Sequence, residues 1–555
     1  MKDRYAQIDM ATQRARAARR VFPCAPRGGR ERVPVAIVGA GPVGLAAAVD
    51  LTERGIACVV LDKVNTLSDG SRAICWAKRS LEICDRLGVA GPMMDKGITW
   101  NVGRVYCGDD PRPLYSFDLL PDRQQKFPAF INLQQYCAEE YLIDRLLARG
   151  GEIRWQHEVR DLRQSADGVM LGVHTPAGDY TLRCEYVIAA DGCRSGLRTG
   201  MGLDFDGRTF EDNFLIVDLR MQAPFPAERR FWFKAPFNEG RTALMHQQPD
   251  GLWRLDFQLG RDIDREQAIR EENVSPRVRA MLGPDIDFEY EWISLYTFQC
   301  RRMQRFVHER VVFAGDAAHL VSPFGARGAN GGLQDVDNLG WKLARVLRGE
   351  SGPALLASYD EERRFGADEN IANSTRATDF MTPKTVVERA FRDAVLELAA
   401  GHAFARAFVN SGRLSVPCSL RGSSLTTPDR EAFDAVLAPG EVCVDAPVQR
   451  DGRPGWLLES LRGDFACLYF GGPGALGRGP LAAQLPPGVA LVYVGQEAGP
   501  AVDLVDLGGG LARRYGAAPG TIYLVRPDQH VAARWKAFDP AALRSAHARA
   551  CAVRA

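Results

Sequence analysis

The sequence predicts an α/β fold in which a domain with a parallel β-sheet is interleaved with a mostly antiparallel β-sheet, with a third, small α/β domain at the end. Three observations predict it. A β-α-β unit with a glycine-rich turn begins near residue 33. Two more apolar strands, each next to an acid and a glycine, come much later, and a run of strands with turn residues lies between them. Separate pieces of sequence are therefore expected to share one parallel sheet.

The composition is typical of a globular protein of two or three domains. Of the 555 residues, 46% are hydrophobic and 25% are charged, which excludes a disordered or fibrous chain. The 70 Lys and Arg nearly balance the 69 Asp and Glu, so charge favours neither nucleic acid nor a membrane as a partner. The 13 cysteines include no CxxC pair. This pattern predicts reduced thiols in a cytoplasmic protein and no metal site.

The first 32 residues form a basic segment of their own. They carry nine Lys or Arg and three acids without an apolar core, which excludes a secretory signal. We interpret residues 1–32 as a solvated, mobile N-terminal arm. An Arg-rich transit peptide is the alternative.

The β-α-β unit contains a dinucleotide-binding fingerprint. An apolar strand ends at Gly39, and Gly41 and Gly44 complete a GxGxxG turn that opens a helix of small residues. Gly39 permits the turn, Gly41 lets the backbone approach a pyrophosphate at the helix N-terminus, and Gly44 allows close packing. Asp62 ends the second strand, 23 positions after Gly39, where an acid can bind an adenosine ribose.

A second GxGxxG match begins at Gly472 and ends at Gly477. Pro480 and the Pro486-Pro487 pair leave no room for a crossover helix of normal length. The sequence therefore predicts a surface loop here, and a nucleotide site is the less favoured alternative.

Two acid–glycine pairs mark the ends of later apolar strands. They are Asp191-Gly192 and Gly315-Asp316, and short acids at the carboxyl ends of parallel strands point into the ligand crevice. Asp316 is a candidate for a ribityl hydroxyl. The backbone amides of residues 325–332 would suit an anionic ring at the start of the next helix.

The middle segment offers candidate substrate-binding groups. His246, Arg254 and Asp256 lie on neighbouring predicted strands, and we interpret them as a surface salt-bridge face, with a substrate-facing polar group as the alternative. Cys75 and Trp76 line a pocket or belong to the core. His319 is interpreted as filling a structural position rather than transferring a proton.

Together these motifs resemble the class A FAD-dependent aromatic hydroxylases, the superfamily of p-hydroxybenzoate hydroxylase and phenol hydroxylase, near its 3-(3-hydroxyphenyl)propionate hydroxylase-like branch. The resemblance rests on the fingerprint at 39–44, the Ser71-Arg72-Ala73 loop, the segment 191–198 that begins Asp-Gly-Cys-Arg-Ser, and Gly-Asp-Ala-Ala-His-Leu-Val-Ser-Pro at 315–323. It covers about residues 33–365. The end of the chain resembles the thioredoxin-like third domain of the phenol hydroxylase branch, most clearly at 524–530.

The resemblance implies a Rossmann-like FAD-binding domain at 33–204 and 301–414, including a helical extension. It also implies a substrate-domain sheet at 205–300 and a thioredoxin-like domain at 415–555. The implied cofactors are FAD and NAD(P)H, and the partners are a small aromatic substrate and O₂, with a homodimer left open. The implied cofactor-binding residues are Gly39, Gly41, Pro42, Val43, Gly44, Asp62, Lys63, Arg72, Gln134, Val159, Asp191, Gly192, Gly315, Asp316, Pro323, Gly328, Ala329 and Asn330.

The implied reaction is hydroxylation of a phenol: NAD(P)H reduces FAD, O₂ adds at flavin C4a, and the hydroperoxide transfers OH to the ring. The candidate catalytic residues are Pro323, Arg327, His246 and Arg254. Two alternatives stay open, namely Baeyer–Villiger or epoxidation chemistry on a polyketide-like aromatic, and flavin binding without turnover.

Two positions depart from the family pattern. The family segment after Pro323 usually has Gly-Gln-Gly where this chain has Ala326-Arg327-Gly328, and Asp62 replaces the commoner glutamate. Arg327 is expected to face reduced flavin or a substrate carboxylate, and an outward, solvated arginine is the alternative.

Overall fold

The computed structural model describes residues 10–13, 20–25, 30–68, 72–120, 122, 124–410, 415–434 and 437–553. Ser71 and most of the first 29 residues lie outside these ranges. Among the described residues, none of the helices combines the length and the apolar character that a bilayer crossing requires.

The first part of the chain, up to residue 204, alternates strands and helices. Its strands are β1 (Met10–Gln13), β2 (Arg30–Val38), β3 (Cys58–Asp62), β4 (Cys75–Ala77), β5 (Ile98–Trp100), β6 (Val102–Cys107), β7 (Tyr115–Asp118), β8 (Phe130–Asn132), β9 (Glu152–Trp155), β10 (Glu158–Ser165), β11 (Gly168–Thr175) and β12 (Gly178–Ala189). Its helices are α1 (Pro42–Glu53), α2 (Lys78–Arg86), α3 (Ala90–Lys96), α4 (Gln135–Ala148) and α5 (Gly196–Gly200).

The middle part is dominated by long strands. They are β13 (Asp206–Met221), β14 (Arg229–Ala235), β15 (Arg241–Gln247), β16 (Leu252–Gly260) and β17 (Phe288–Arg302), followed by the short β18 (Val307–His308), β19 (Val311–Phe313) and β20 (His319–Leu320). Two helices, α6 (Arg265–Ala268) and α7 (Glu271–Leu282), lie between β16 and β17.

The last part begins with four helices, α8 (Gly328–Leu347), α9 (Ala354–Met381), α10 (Val386–Gly401) and α11 (Ala403–Asn410). Its strands are β21 (Pro447–Arg450), β22 (Arg453–Trp456), β23 (Ala466–Phe470), β24 (Ala490–Gly495), β25 (Leu504–Val505), β26 (Ile522–Val525) and β27 (Val531–Trp535). The remaining helices are α12 (Leu457–Ser460), α13 (Arg478–Ala482), α14 (Gly510–Tyr515) and α15 (Pro540–Ala550), and 3₁₀ turns occur at Pro236–Asn238, Gly315–Ala317 and Leu507–Gly509.

The parallel sheet is assembled from distant segments, as the sequence predicts. Its parallel part has the order β19-β12-β2-β3-β9, and β11 and β10 extend it antiparallel from the other end of β12. Apolar residues of β2, β3, β12 and β19 form its buried core. Because these strands are parallel, the residues that follow β2, β3, β12 and β19 meet at one edge.

The mostly antiparallel sheet is wider than the predicted 205–300 segment. Its order is β1-β17-β13-β16-β15-β14-β6-β7, so that strands from residues 102–118 join it, β6 pairing parallel with β14. The run of strands predicted in this segment is present as β13 to β17. Sequence patterns mark strands locally, but the partner of a strand depends on how distant segments pack.

A third sheet is formed near the end of the chain, with the order β22-β21-β25-β24-β23-β26-β27. The second GxGxxG segment follows β23, and the helix after it, α13, has only five residues. This geometry agrees with the predicted loop, since a helix this short cannot present the N-terminal dipole of a crossover helix.

Candidate active site

A cavity of about 810 Å³ connects the carboxyl edge of the parallel sheet to one face of the antiparallel sheet. Most of the residues predicted from sequence line it. They are Gly39, Gly41, Pro42, Val43, Asp62, Lys63, Arg72, Val159, Asp191, Gly192, His246, Arg254, Asp316, Pro323, Arg327, Gly328, Ala329 and Asn330.

The glycine-rich turn after β2 is shaped by contacts that a side chain would block. Gly39 has a φ of 109°, and a Cβ there would lie 2.4 Å from the Ala190 carbonyl oxygen. A Cβ on Gly44 would lie 1.9 Å from the Gly39 oxygen, whereas one on Gly41 would meet no atom within 4 Å. Gly39 and Gly44 are therefore needed for packing, and Gly41 leaves its backbone open to the cavity.

Asp62 ties this turn to the end of β3. Its Oδ2 accepts a hydrogen bond from the Ala40 N–H at 2.5 Å, and its Oδ1 accepts one from the Val64 N–H at 3.0 Å. Burial raises the pKa of Asp62 despite these two donors. Each carboxylate oxygen can accept a second hydrogen bond, so the side chain can still bind a ribose hydroxyl.

Two further acids lie at the same edge. Asp191 Oδ2 accepts a hydrogen bond from the Leu197 N–H at 3.1 Å, while its Oδ1 is buried without a hydrogen-bond partner among the described residues. Asp316 is exposed to the cavity. Desolvation by the protein around the cavity raises its pKa, which His319 and Arg72 oppose. Both acids can therefore accept hydrogen bonds from ligand hydroxyls.

The structure corrects the sequence prediction that Gln134 belongs to the site. Its amide is buried and donates to the Pro249 carbonyl at 3.1 Å, away from the cavity lining. The next residue, Gln135, lines the cavity and accepts a hydrogen bond from the Ala73 N–H at 3.0 Å. The two glutamines lie at the start of α4, where a shift of one residue turns the side chain by about 100°.

Two predicted glycines, Gly44 and Gly315, support the site without lining it. A Cβ on Gly315 would lie 2.9 Å from Val43 Cγ2, so this position is a close contact between the second acid–glycine pair and α1. Asn330 does line the cavity, but its amide hydrogen-bonds to backbone atoms of Ala77 and Cys75. Its side chain joins α8 to β4.

The turn that carries Asp316 is held by a buried network. His319 Nε2 lies 2.6 Å from Asp335 Oδ2, which also accepts from the Gly315 N–H at 2.9 Å. Arg363 donates to the other oxygen of Asp335 at 2.7 Å. This geometry agrees with the structural interpretation of His319, and Asp335 is a supporting residue that local sequence motifs did not indicate.

Arg327 is buried, with 3% of its surface exposed, so the solvated alternative is wrong. It lines the cavity and donates from Nη1 to Asn370 Oδ1 at 2.9 Å. Burial lowers the pKa of its guanidinium to about 10. The preceding Ala326 has a φ of 53°, the left-handed conformation that suits the glycine usual in the family.

The predicted surface salt-bridge face is instead a buried wall of the cavity. His246 and Arg254 are 3% and 4% exposed, and Asp256 lies beside them in the lining. Arg254 donates from Nε and Nη2 to the two oxygens of Asp218, at 2.7 Å each. The alternation of side chains along β15 and β16 does not show which face of the sheet other elements cover. In this fold the parallel-sheet unit covers the face that carries the polar side chains.

The side chains of His246 and Asp256 approach each other, and each has a polar atom without a hydrogen-bond partner among the described residues. His246 Nε2 lies 4.0 Å from Asp256 Oδ2, and neither His246 Nε2 nor Asp256 Oδ1 has a hydrogen-bond partner among the described residues. Burial and the nearby Arg229 and Arg254 hold the pKa of His246 well below its usual range. Burial raises the pKa of Asp256 to about 6.

Apolar groups complete this end of the cavity, which we call the chamber. Its apolar walls are Phe214, Ile216, Leu244, Tyr296, Phe298 and Phe324. Cys75 also lines the cavity, with its Sγ 3.9 Å from His246 Nδ1, whereas Trp76 is a core residue. An apolar chamber with a few converging polar groups is typical of a site for a small organic ligand.

Comparison with known proteins identifies the family. The FAD binding domain family model matches residues 32–374. A flavin-dependent monooxygenase of Mycobacteroides abscessus is 31% identical over 90% of this chain and 96% of its own length. The chain therefore belongs to the family of FAD-dependent monooxygenases, and FAD is its cofactor, with NAD(P)H as the reductant typical of the family.

Other relatives act on different aromatics. A 12-dehydrotetracycline 5-monooxygenase/anhydrotetracycline 6-monooxygenase of Streptomyces rimosus is 30% identical, over 66% of this chain and 73% of its own length. A 3-(3-hydroxy-phenyl)propionate/3-hydroxycinnamic acid hydroxylase of Mycolicibacterium smegmatis is 30% identical, over 66% of this chain and 65% of its own length. The predicted branch of the family is thus among the relatives.

The fold is shared with a solved flavin-dependent monooxygenase, PieE, whose structure contains FAD and substrate. It has a TM-score of 0.80 at 23% identity and covers 94% of this chain and 99% of its own. The residues at the sheet edge fit FAD on their own geometry. The open backbone at Gly41 and the unpaired Oδ1 of Asp191 are suited to its phosphates and hydroxyls.

Proposed function

We propose that this enzyme hydroxylates a phenolic aromatic substrate with O₂, using FAD that NAD(P)H reduces. The observation that carries the proposal is the His246–Asp256 pair, whose side chains approach to 4.0 Å and each keep one polar atom without a hydrogen-bond partner among the described residues, in an apolar chamber continuous with the dinucleotide-binding edge. Bound FAD supplies the redox and oxygen-transfer chemistry. The chain has to orient the ring, exclude water and move the phenol proton.

The dinucleotide end would hold FAD through four groups of residues. The turn at 39–44 and Asp62 would bind the ADP part, with Lys63 and Val159 beside it. Arg72 and Gln135 would flank the phosphates, and Asp191 and Asp316 would bind ribityl hydroxyls. Backbone amides at the start of α8, together with Pro323, would surround the ring, because a helix N-terminus favours negative charge.

The His246–Asp256 pair would take the proton of the phenol hydroxyl. A neutral imidazole can accept a proton at Nε2, and a carboxylate with a pKa of about 6 is ionised at neutral pH while remaining a usable base. The 4.0 Å between the two side chains leaves a substrate oxygen within reach of both. The aromatic walls would hold the ring of the substrate.

Arginines would stabilise the negative charge that follows. Arg254 is fixed by its two hydrogen bonds to Asp218, so it would act through its field on the chamber. Arg229 also lines the cavity. Arg327 lies on the opposite wall, at the start of α8, where it would face the flavin or an acidic group of the substrate.

A second candidate is oxidation of a larger, polyketide-like aromatic by Baeyer–Villiger or epoxidation chemistry. The relatives named for tetracycline substrates favour it. Both candidates use the same cavity and cofactor. They differ in whether the carbon skeleton of the product ring is intact and aromatic.

We also propose that the last part of the chain, about residues 415–555, is a thioredoxin-like domain with a structural role. The strand order β24-β23-β26-β27, with β26 antiparallel to its neighbours, supports this topology. Its four cysteines are buried free thiols, namely Cys418, Cys443, Cys467 and Cys551, which gives no basis for dithiol chemistry.

The test uses the full-length protein with a panel of neutral and acidic phenols and one multi-ring phenol. The purified protein should contain one FAD per chain, since one complete fingerprint exists. A substrate should accelerate NAD(P)H oxidation with matching oxygen uptake, and the product should gain one oxygen with its aromatic ring intact. His246→Asn should lower kcat/KM by about 100-fold, the usual loss for a missing general base.

His174→Asn is the matched control, because His174 is partly exposed, is paired with Asp179 and does not line the cavity. It should leave kcat/KM unchanged. If no aromatic compound accelerates NAD(P)H oxidation, the proposed hydroxylation is contradicted. A lactone or epoxide product would replace the first candidate with the second.

A further inference from the structure

The segment Arg20–Ala25 is docked on the protein, although the sequence suggested that the whole N-terminal arm was solvated. Phe22 is 7% exposed, and its N–H donates to the Asn65 carbonyl at 2.9 Å. Val21 forms an antiparallel bridge with Thr66. This short segment therefore adds backbone contacts to the loop that follows β3.

Side chains of the segment contact two further elements. The Phe22 ring stacks on Trp155 at the end of β9, with ring centroids 4.3 Å apart and planes inclined by 10°. The Arg20 guanidinium lies 5.0 Å from the Phe22 ring centroid and donates to Asp144 of α4 at 2.5 Å. The segment thus joins the loop after β3, the end of β9, and α4.

All three elements line the dinucleotide end of the cavity. The lining residues from the loop after β3 are Lys63, Val64, Thr66, Leu67 and Ser68, from β9 Trp155, and from α4 Gln135 and Glu139. Trp155 therefore contacts Phe22 and the cavity at once. The Ser68 N–H donates to Glu139 Oε2 at 2.9 Å, which joins the loop to α4 inside the site.

We propose that Arg20–Ala25 is a strap that positions the wall against which the adenosine part of FAD binds, with Phe22 as its positioning residue. The inference rests on the proposed assignment of this end of the cavity to ADP. The strap itself does not line the cavity, so it acts through Trp155 and the loop 63–68. Holding this wall in its bound form lowers the ordering cost of binding, and that gain appears as affinity.

The same stacking could serve packing alone, and the two roles differ in what they change. A packing role affects the stability of the protein and leaves ligand affinity unchanged. A positioning role weakens every ligand that carries the adenosine diphosphate group. ADP is therefore the right probe beside FAD.

The experiment compares full-length Phe22→Leu and Phe22→Ala with the unaltered protein, all stripped of flavin. Calorimetry measures the Kd for FAD and for ADP, and urea unfolding measures stability. Because binding must then also order the wall, both Kd values should rise by about tenfold. Phe22→Tyr keeps the stacked ring and should restore both affinities.

Tyr106→Ala is the matched control. Tyr106 is 8% exposed and stacks on Trp232 at 5.1 Å, and neither ring lines the cavity. It should lower the urea midpoint and leave both Kd values unchanged. If Phe22→Leu and Phe22→Ala also lower the urea midpoint and leave both Kd values unchanged, the proposed positioning role of the strap is wrong. Failure of the underlying assignment would look different, because ADP would then not compete with FAD on the unaltered protein.

Discussion

Asp256 combines burial with an unpaired oxygen, and its ionisation should control the reaction. Its pKa of about 6 means that the carboxylate becomes protonated, and loses its ability to accept a proton, as the pH falls through 6. We therefore expect kcat/KM for phenols to fall as the pH is lowered through about 6. Asp256→Asn should remove this limb and lower the rate at pH 7.5, as a pH series from 5 to 9 would show.

The same residue should limit the stability of the flavin-free protein. Its folded-state pKa lies above the unfolded value of about 3.9, so the folded protein binds the proton more tightly, and stability falls as the pH rises from 4 to 6. Asp256→Asn should raise the free energy of unfolding at pH 8 by on the order of 1–3 kcal/mol, and hardly at all at pH 4. Urea unfolding at both pH values measures the change in the free energy of unfolding. An equal increase at both pH values would show that ionisation of Asp256 is not its cause.

Arg327 can be tested by restoring the residue usual in the family. Arg327→Gln should leave FAD bound, because the cofactor has many other contacts. If the guanidinium faces an acidic substrate, the KM for acidic phenols alone should rise about ten- to a hundredfold, the loss of one charge-assisted hydrogen bond. If it faces the flavin, reduction should slow for every substrate and the flavin's reduction potential should fall.

Arg389→Gln is the control for Arg327, because Arg389 is an exposed cation on helix α10 and does not line the cavity. It should change neither the KM nor the rate of reduction. Equal values for Arg327→Gln and the unaltered protein in both measurements would leave Arg327 a structural role, such as its bond to Asn370.

At the scale of elements, two glycines of the turn between β2 and α1 have different roles: Gly44 allows close packing, and Gly41 leaves the backbone open to a ligand. Gly44→Ala should destabilise the protein by about 1–3 kcal/mol, because its Cβ would overlap the Gly39 oxygen. Gly41→Ala meets no atom and should leave the urea midpoint of the flavin-free protein unchanged. It should still weaken FAD binding by at least about tenfold, because the backbone must approach the pyrophosphate closely. Equal effects of the two changes on stability would contradict this division.

At the scale of the whole molecule, a buried charge network joins the last sheet to the rest. Glu362 of α9 binds Lys342 of α8 at 2.6 Å, and Arg526 after β26 at 2.6 and 2.9 Å. Arg526 also binds Asp528, whose backbone carbonyl accepts from Arg79 of α2 at 2.8 Å. The segment 524–530, which carries the resemblance at the end of the chain, therefore takes part in docking the last sheet on α2, α8 and α9.

Glu362→Gln should be strongly destabilising, because it leaves Lys342 and Arg526 buried with less compensation. We expect a loss of about 3–5 kcal/mol in urea unfolding. Glu211→Gln is the control, since it breaks an exposed pair with Arg261, which is worth at most about 1 kcal/mol. A loss as small as that of the control would show that the network adds little.

The pH dependence of this network has a defined sign. Burial alone would raise the pKa of Glu362, but Arg526 and Lys342 hold it well below its usual range. The stabilisation is therefore complete above the ordinary glutamate pKa and is lost as the pH falls below it. Acid unfolding of the unaltered protein should begin in that range, and Glu362→Gln should flatten the dependence.

Much of the molecule followed from local patterns. The strand, glycine turn and helix at 33–54, the later strands and the loop at 472–477 were predicted because apolar periodicity and the steric demands of glycine act over a few residues. The residues at the dinucleotide edge were mostly predicted as well. Parallel strands bring the ends of distant segments to one edge, so a motif at each strand end is sufficient to find them.

The tertiary structure decided what depends on contacts between distant segments. The sequence left the face of His246 and Asp256 open, because which side of a strand is covered depends on what packs against it. Gln135 lines the cavity where Gln134 was predicted to, because a shift of one residue at the start of a helix turns the side chain away from the site. Phe22 met Trp155, and Arg526 met Glu362, through pairings between segments that no local period encodes. The sequence by itself determined the glycine-rich turn and the class of enzyme, whereas the meeting of His246 with Asp256 and of Phe22 with Trp155 was decided by long-range packing.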